Sequence, residues 1–326
     1  MLGQAAHSEA VAEALSLAAA PDHVAEVEAT IAQYRSGLPE GASARFPALD
    51  GDVLECRGAG TVVVVRRPAP MPHRPDISVV IPCFRAAATL ARAVRSIVAQ
   101  ADPGTEIILV DDASPDDTLA TALALATRLP DVVSVLARRD NGGPGAARND
   151  GIRLARGRFL CFLDADDEFA PGFLRAGLDQ LHRAPALAAV QTGIDLAGGL
   201  DFIDPARYAR LVNSLVTNLL VRREVLELLG GFPEAPVFRG ARGGEDVAVT
   251  RLLVKYFRRG WDARPLLIHH LRPGSHLHRF LADSRVDGDD VVLARRTPEE
   301  ESGALQLAQL LHEQAFQRRA AVARWR

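Results

Sequence analysis

The 326-residue sequence has few cysteines, no long uncharged apolar run and no excess of positive charge. Its three cysteines, Cys56, Cys83 and Cys161, form no Cys-x-x-Cys pair, and two of them lie in or beside apolar strand candidates. The sequence therefore predicts reduced, buried packing cysteines in a cytoplasmic protein and gives no sign of a disulfide framework or a cysteine-based metal site.

The charge and hydropathy patterns narrow the class of partner. The formal net charge of −3 gives no general reason to expect nucleic-acid binding, and only a local basic patch would supply the clustered positive charge that a phosphate backbone needs. The N-terminal segment lacks a basic leader, and no later segment has the uncharged length that spans a bilayer. Hydrophobic residues make up 48% and charged residues 24%, as in an ordinary globular protein. We expect no transmembrane segment, with any membrane contact peripheral.

A proline-rich segment at 68–76 is the clearest linker in the chain. It separates an N-terminal extension, residues 1–75, from a central domain, residues 76–280. The extension is predicted to hold two short helices within 8–36 and a β-hairpin around Arg57. A tail at 281–326 is predicted to be mainly helical.

The central domain alternates strand and helix patterns, which predicts an α/β fold with a mainly parallel sheet covered by helices on both faces. The first strands are predicted at 77–82, 106–112, 132–138 and 159–167, and the helices between them at 87–100, 115–129 and 146–156. Further on, helices are predicted at 172–183 and from 245, and strands at 187–192 and 264–271. Ligands of such sheets bind beyond the C-terminal ends of the strands.

Two acidic clusters fall at these strand ends. The apolar run from Phe159 to Leu163 leads into Asp164 and Asp166, whose carboxylates are hard oxygen ligands suited to Mg²⁺ or Mn²⁺. Asp111 and Asp112 end another strand and can accept hydrogen bonds from a base or a ribose. A solvated turn that caps the next helix explains either cluster about equally well on chemistry alone.

Two further motifs carry weaker signals. The loop from Asn141 to Gly145 is glycine-rich and runs into a helix bearing Arg148, an arrangement that favours a diphosphate, although a plain turn is the commoner meaning. Glu245 and Asp246 begin a predicted helix, where a carboxylate is a candidate general base or simply complements the helix dipole. A histidine cluster, His269 to His278, is predicted to serve mainly surface or packing roles.

Taken together and in this order, these segments resemble an inverting family 2 glycosyltransferase of the GT-A fold. The resemblance covers about residues 76–280 and is much more specific than any single motif. It rests on the segments ISVVIPCFRAAATLARAVRSIVAQ, EIILVDDASPDDT, NGGPGAARNDGIRLARGRFLCFLDADDEFAPGFL, LVRREVLELLGGFPE and GGEDVAVTRLL.

The resemblance implies a role for each site residue. Nucleoside and diphosphate contacts would come from Pro82, Phe84, Asp111, Asp112, Arg148, Asp164, Ala165 and Asp166. Asp166 and Asp164 would hold Mn²⁺ or Mg²⁺, Asp246 would be the base and Glu245 would bind or orient the acceptor. The expected donor is a nucleotide sugar, with a UDP-sugar the leading candidate, and the acceptor is a glycan, a lipid-linked glycan or a small molecule.

The sequence also departs from the family pattern. Arg272 stands where the family often has a histidine that contacts the metal or the diphosphate. This departure keeps open a degenerate binding module of the same fold. A sugar-phosphate nucleotidyltransferase is disfavoured because no glycine-rich basic loop follows the first strand, which ends in Pro82 to Arg85. Residues 1–75 and the C-terminal helix are candidates for acceptor recognition or homodimerisation.

Overall fold

A computed structural model describes most of the central part of the chain. The described ranges are 75–100, 104–197, 203–238, 244–272, 275–287 and 290–293, with the backbone of 43–45, 53–55 and 62–66 and positions 305, 309 and 313. The chain divides into two compact units, Met1–Pro171 and Gly172–Arg326.

The first unit is built on parallel strands. Three short strands come first: β1 (Ser43–Arg45), β2 (Val53–Glu55) and β3 (Val62–Arg66). The parallel strands are β4 (Ile77–Cys83), β5 (Thr105–Asp111), β6 (Val133–Arg138) and β7 (Phe159–Phe162), arranged in the order β6-β5-β4-β7. β3 pairs antiparallel with β6, and β1 pairs antiparallel with β2.

Helices cover this sheet because its strands are apolar on both faces. Every residue of β5 and β6 is buried, which requires cover on each side. The helices are α1 (Leu90–Val98), α2 (Thr118–Arg128) and α3 (Gly143–Leu154). Helix α3 packs tightly on β4, since a Cβ at Gly151 would lie 2.3 Å from Cγ1 of Val80. A two-residue strand, β8 (Glu168–Phe169), follows β7.

The far edge of this sheet is held by one buried carboxylate. Glu106, near the start of β5, accepts hydrogen bonds from Oγ of Ser78 at 2.6 Å and from the backbone N–H of Arg156 at 2.6 Å. Its second oxygen lies 2.8 Å from the Arg156 guanidinium. These contacts tie the loop after α3 to the starts of β4 and β5, so the strand ends opposite the acidic clusters are fixed.

The second unit contains three paired strands with both parallel and antiparallel neighbours. Strand β9 (Ala189–Ala197) lies between β10 (Leu219–Arg222), which is antiparallel to it, and β11 (Arg259–His270), which is parallel to it. Strands β12 (Ser284–Asp287) and β13 (Asp290–Leu293) form an antiparallel pair. The helices are α4 (Phe173–Arg183), α5 (Pro205–Val212), α6 (Arg223–Leu229), α7 (Glu245–Tyr256) and α8 (His276–Asp283).

The predicted α/β order of the central domain is confirmed, with local corrections. The two runs predicted as a hairpin form β2 and β3, but these strands pair with β1 and β6 instead of with each other. Strand β11 begins five residues before the predicted 264, and α5 had no predicted counterpart. His276 begins a helix capped by the Ser275 hydroxyl, which had no predicted counterpart.

Several predictions stay untested. The helices predicted within 8–36 lie outside the described residues. In the C-terminal tail, Leu305, Gln309 and Glu313 are helical, and Gln309 donates a hydrogen bond to Glu313. The boundaries at 75 and 280 also remain predictions. Among the described residues, no helix is both long enough and apolar enough to cross a bilayer.

Candidate active site

Three neighbouring parallel strands of the first unit deliver the predicted site residues to one edge of its sheet. Cys83 at the end of β4 is in register with Asp111 at the end of β5, and Val80 of β4 is in register with Phe162 of β7. Because adjacent strands lie about 4.8 Å apart, the segments that follow β5 and β7 flank the end of β4 within about 10 Å. The predicted common edge for the acids is therefore present.

The backbone at this edge is strained. Among the described residues, Arg85 and Ala113 are the only non-glycine residues with positive φ, at 53° and 56°. Each follows one of two adjacent strands, and the backbone N–H of Arg85 donates to Oγ of Ser114 across the gap at 3.2 Å. Such strain persists where the surrounding structure fixes it, and it concentrates at functional sites.

The segment after β4 presents an aromatic ring to solvent. Pro82 is half-buried, whereas the Phe84 side chain is 46% exposed, with the Arg85 guanidinium 5.3 Å from its ring centroid. An exposed, charge-flanked ring at the strand end provides a flat surface on which a nucleobase can stack.

Asp111 and Asp112 occupy different environments although they are adjacent. Asp111 is fully buried and its Oδ2 accepts from the backbone N–H of Ser114 at 3.4 Å. Both carboxylate oxygens of Asp112 accept hydrogen bonds, from the backbone N–H groups of Gly142 at 2.9 Å and Gly143 at 2.8 Å. Asp112 thus fixes the start of the glycine-rich loop.

Arg138 completes this arrangement from the end of β6. Its guanidinium lies 3.2 Å from Asp112 and 3.2 Å from Asp150 of α3. Gly142 leaves the space that this guanidinium fills, since a Cβ there would lie 2.5 Å from Nη1 of Arg138. The sequence did not indicate this role of Arg138, because nothing in the adjacent pair Arg138-Arg139 marks one of them as buried.

Arg148 links the glycine-rich segment to the acidic cluster after β7. It projects from α3, is 3% exposed, and its Nη2 donates to Oδ1 of Asp164 at 2.8 Å. The Asp164 side chain keeps 34% of its surface exposed. One carboxylate therefore faces both a buried cation and solvent, and the hydrogen bond from Arg148 fixes its orientation.

The acidic cluster itself forms a tight turn. The backbone N–H of Asp167 donates to the carbonyl of Asp164 at 3.0 Å, with Ala165 buried inside the turn and Asp166 half-buried. Arg92 of α1 donates to the Asp166 carbonyl at 2.7 Å and lies 3.3 Å from the Glu168 carboxylate. Arg92 thus stabilises the acidic turn. The sequence did not predict this contact, because its two residues lie 74 positions apart.

The donor set suits a divalent ion that takes most of its ligands from a substrate. The described residues contain no group of three or more side chains placed to hold a metal. Mg²⁺ and Mn²⁺ commonly use one or two carboxylates and complete their shell with phosphates and water. With Asp164 engaged by Arg148, Asp166 is the better placed protein ligand, and Asp164 can add a second.

The predicted base and acceptor residues lie in the second unit. Gly244 has φ of 108°, a conformation that favours glycine, and it precedes α7. Glu245 is 5% exposed, whereas Asp246 is half-buried and its Oδ1 accepts from the backbone N–H of Val247 at 2.7 Å. Asp246 thus lies in the first turn of α7, where the helix dipole favours an acidic side chain.

The segment that departs from the family pattern ends β11. His269 and His270 are half-buried and Arg272 is exposed. His269 is in register with Leu196 and His270 with Ala197 of β9.

Two cysteines support a packing role. Cys83 and Cys161 are free and buried. Burial raises the pKa of both thiols well above the ordinary value, and the charge of Asp111 raises that of Cys83 further. Both are neutral near pH 7, and neither is an activated nucleophile.

Comparison with known proteins places this chain. Residues 78–226 match the family model for glycosyl transferase family 2. The succinoglycan biosynthesis protein ExoO of Rhizobium meliloti (strain 1021) is 40% identical over 117 residues, which are 36% of this chain and 32% of that protein. The chain covers 32% to 56% of the length of ExoO and of two other curated relatives.

Two solved structures share the fold. Residues 1–349 of S. aureus TarS, in complex with UDP, superpose with a TM-score of 0.51 at 21% identity over 61% of each chain. The mannosyltransferase PcManGT of Pyrobaculum calidifontis, in complex with GDP-Man and Mn²⁺, gives 0.50 at 20% identity over 97% of this chain and 87% of that one. The expected GT-A fold is thereby confirmed.

The family match includes the acidic and glycine-rich segments of the first unit but ends before Glu245 and Asp246. The assignment of those two acids therefore stays a prediction. Residues 78–226 of this chain are thus similar to glycosyl transferase family 2.

Proposed function

We propose that this chain transfers a sugar from a nucleotide-diphosphate sugar to an acceptor hydroxyl with inversion at the anomeric carbon. The observation that carries the proposal is the joint placement of Asp111, Asp164 and Asp166 at the ends of β5 and β7, the two parallel strands that flank β4, with Arg148 bound to Asp164. Ligands of parallel α/β sheets bind at this edge. The nucleotides bound by TarS and PcManGT agree with such a donor.

The first unit would hold the donor. Phe84 and Pro82 would line the base, and buried Asp111 would accept a hydrogen bond from the nucleoside. Asp112, whose oxygens both bind the glycine-rich loop, would act by positioning that loop. Arg148 would hold the Asp164 carboxylate in position beside the diphosphate.

A divalent ion fits the acidic turn. Asp166 and Asp164 would hold Mn²⁺ or Mg²⁺ together with the diphosphate, and Ala165 would let the donor approach the turn backbone. The ion would supply neutralisation of the charge that develops on the leaving nucleoside diphosphate. Arg148 would add a fixed positive charge nearby without ligating the metal.

The second unit would activate the acceptor. Asp246 would remove the proton from the acceptor hydroxyl as its oxygen attacks the anomeric carbon and the bond to the diphosphate breaks. Attack on the face opposite the leaving group inverts that centre. Buried Glu245 would orient the acceptor, which we take to be a glycan, a lipid-linked glycan or a small molecule.

A thermal-shift screen tests donor binding. The protein is heated with UDP-, GDP- and dTDP-sugars, each with Mn²⁺ or with EDTA. A donor at 100 times its dissociation constant stabilises the folded state by about 2.7 kcal/mol. We expect one nucleotide class, with UDP first, to raise the melting temperature only with Mn²⁺. The absence of any stabilisation across the panel would contradict the proposal.

A further inference from the structure

A pocket of about 380 Å³ opens in the second unit. Its lining comes from the first residues of β11, from α5 and from β9: Gln191, Tyr208, Ala209, Val212, Asn213, Arg259, Gly260 and Trp261. Pockets that bind small ligands span about 300–1,000 Å³, so this one has room for a compact ligand.

Sheet geometry explains why these side chains meet. Trp261 is in register with Gln191 on the neighbouring parallel strand, and Arg259 is two residues before Trp261, so all three project from the same face. A Cβ at Gly260 would instead meet Oε1 of Gln180 at 2.5 Å, which marks the opposite, closed face. Helix α5 lies over the open face and completes the pocket wall.

The wall formed by α5 is held rigidly. The Tyr208 hydroxyl donates to the Ile194 carbonyl at 3.0 Å and accepts from the Ile194 N–H at 3.0 Å. Arg207 binds Asp204 at the start of α5 and donates to Oγ of Ser284 at 2.9 Å. The Tyr208 hydroxyl is already engaged as donor and as acceptor. Its ring therefore forms part of the pocket wall, and other groups must determine which ligand binds.

Arg259 is a half-buried cation in the wall of this pocket. Its guanidinium donates to the neutral amide oxygen of Gln191, whose amide nitrogen in turn donates to the Val212 carbonyl at 2.6 Å. Among the described residues, no carboxylate lies within ion-pair distance of Arg259. Burial lowers the pKa of this guanidinium, as expected for a cation that lacks a counter-charge.

Trp261 supplies the second recognition element. It is 52% exposed, although a large aromatic side chain is usually buried. An indole face beside a cation combines a flat apolar surface with an anion site. This pair suits a sugar ring that bears a negative charge, since the ring can lie on the indole while the charge binds the guanidinium.

We propose that Arg259 and Trp261 form a binding pocket for an acidic saccharide, one that carries a carboxylate or a phosphate. The pocket is separate from the predicted base. Arg259 follows the C-terminal end of α7, whereas Glu245 and Asp246 begin that helix, and its 12 residues span about 18 Å. The pocket would hold a non-reacting part of the acceptor glycan, and this last step alone rests on the proposed transferase function.

Tryptophan fluorescence tests the pocket without any nucleotide sugar. The sequence has two tryptophans, so a Trp325→Phe protein reports on Trp261 alone. It is titrated with methyl β-glucuronide, glucose 6-phosphate, methyl β-glucoside and inorganic phosphate. We expect a saturable change with at least one acidic sugar and binding at least tenfold weaker for the neutral glucoside and for phosphate alone. Equal responses to acidic and neutral sugars, or to phosphate and sugar phosphate, would overturn the proposal.

Charge variants separate the pocket from the general surface. Arg259→Gln should weaken binding of the acidic sugar about tenfold, and Arg259→Lys should recover part of it. Arg258→Gln removes the same charge from an exposed neighbour and should leave the affinity unchanged. An equal loss in both glutamine variants, with melting temperatures like that of the parent protein, would refute the site. If Arg259→Gln does not fold, calorimetry measures binding of the acidic sugar to Arg259→Lys and to Trp261→Ala instead. Retention of full affinity by Trp261→Ala would overturn the proposal.

The outcome is independent of the donor. Acidic-sugar binding in a protein that no nucleotide stabilises would uphold the pocket and reject the transferase function. Nucleotide stabilisation in a protein that binds none of the four probes would do the reverse.

Discussion

Arg148 Nη2 and Asp164 Oδ1 lie 2.8 Å apart, one on the helix that follows the glycine-rich loop and the other just beyond β7. Arg148 is almost fully buried, whereas a third of the Asp164 side chain is exposed. This ion pair therefore holds the Arg148 guanidinium next to the edge where the donor diphosphate is proposed to bind. It also limits how fully Asp164 can serve as a metal ligand.

Asp164→Asn should weaken Mn²⁺-dependent nucleotide binding roughly tenfold or more, in the range found when groups that orient a metal site are changed. The asparagine oxygen can still accept from Arg148, so the free energy of unfolding should fall by only about 1 kcal/mol. Titration calorimetry with UDP and urea unfolding measure the two effects. Asp179→Asn, which alters an exposed ion pair on α4, is the matched control. Unchanged nucleotide affinity in Asp164→Asn would contradict the assigned role.

Asp112→Asn tests whether the glycine-rich loop is held by a carboxylate. Gly142 and Gly143 present two N–H groups, but an asparagine offers only one acceptor oxygen. One of the two N–H groups therefore loses its partner and faces the asparagine NH₂ group, which is also a donor. Unfolding should become easier by about 1–3 kcal/mol, and nucleotide affinity should fall as well. Asp117→Asn, at an exposed position in the same segment, should change neither quantity.

Glu106→Gln supplies the contrast that separates stability from site geometry. Glu106 fixes the opposite strand ends through Ser78 and Arg156. Replacing its charge should cost roughly 1.5–3 kcal/mol of unfolding free energy. Nucleotide affinity of the folded fraction should not change. If Asp112→Asn and Glu106→Gln lose nucleotide affinity equally, destabilisation explains the loss. The proposal that Asp112 positions the glycine-rich loop would then be wrong.

Asp246→Asn should abolish sugar transfer while donor binding is largely preserved, since the side chain acts on the acceptor hydroxyl. Nucleotide-induced thermal shift and product formation are measured on the same preparation. Glu227→Gln, an exposed acid on α6, should retain full activity. Full activity in the Asp246 variant would reject this residue as the base.

The buried thiols give a pH-dependent prediction. Because burial raises the pKa of Cys83 and Cys161, both remain protonated up to a higher pH than exposed thiols, and the thiolate is the reactive form. In a Cys56→Ser protein, iodoacetamide at pH 8 should label neither residue until urea unfolds the chain. Rapid labelling of the folded protein would show that these thiols are accessible.

The sequence contained most of the information on the first unit. Apolar runs that end in acids predicted β5 and β7, and parallel order placed Asp111 and Asp164 at one edge. Periodicity could not show that Arg92 and Arg138 brace this edge, because their partners are distant in the chain or share no pattern with them. It also could not show that both oxygens of Asp112 are already bonded to backbone N–H groups.

The second unit was harder to predict. Strand β11 contains Pro265 and two register shifts, so its early part lacks the alternation that marks a strand. The hairpin prediction for β2 and β3 failed because neighbouring apolar runs were assumed to pair locally, whereas β3 pairs with β6. The pocket that contains Arg259 and Trp261 is formed by the irregular strand β11 together with α5. No local sequence motif predicts it.

Release of nucleoside diphosphate from a panel of UDP-, GDP- and dTDP-sugars decides whether this chain is a metal-assisted sugar transferase. We expect the wild-type protein to turn over one donor class with Mn²⁺, to lose this activity with EDTA, and to show little of it as Asp166→Asn. Failure to turn over any donor, or turnover that neither EDTA nor Asp166→Asn reduces, would contradict this function.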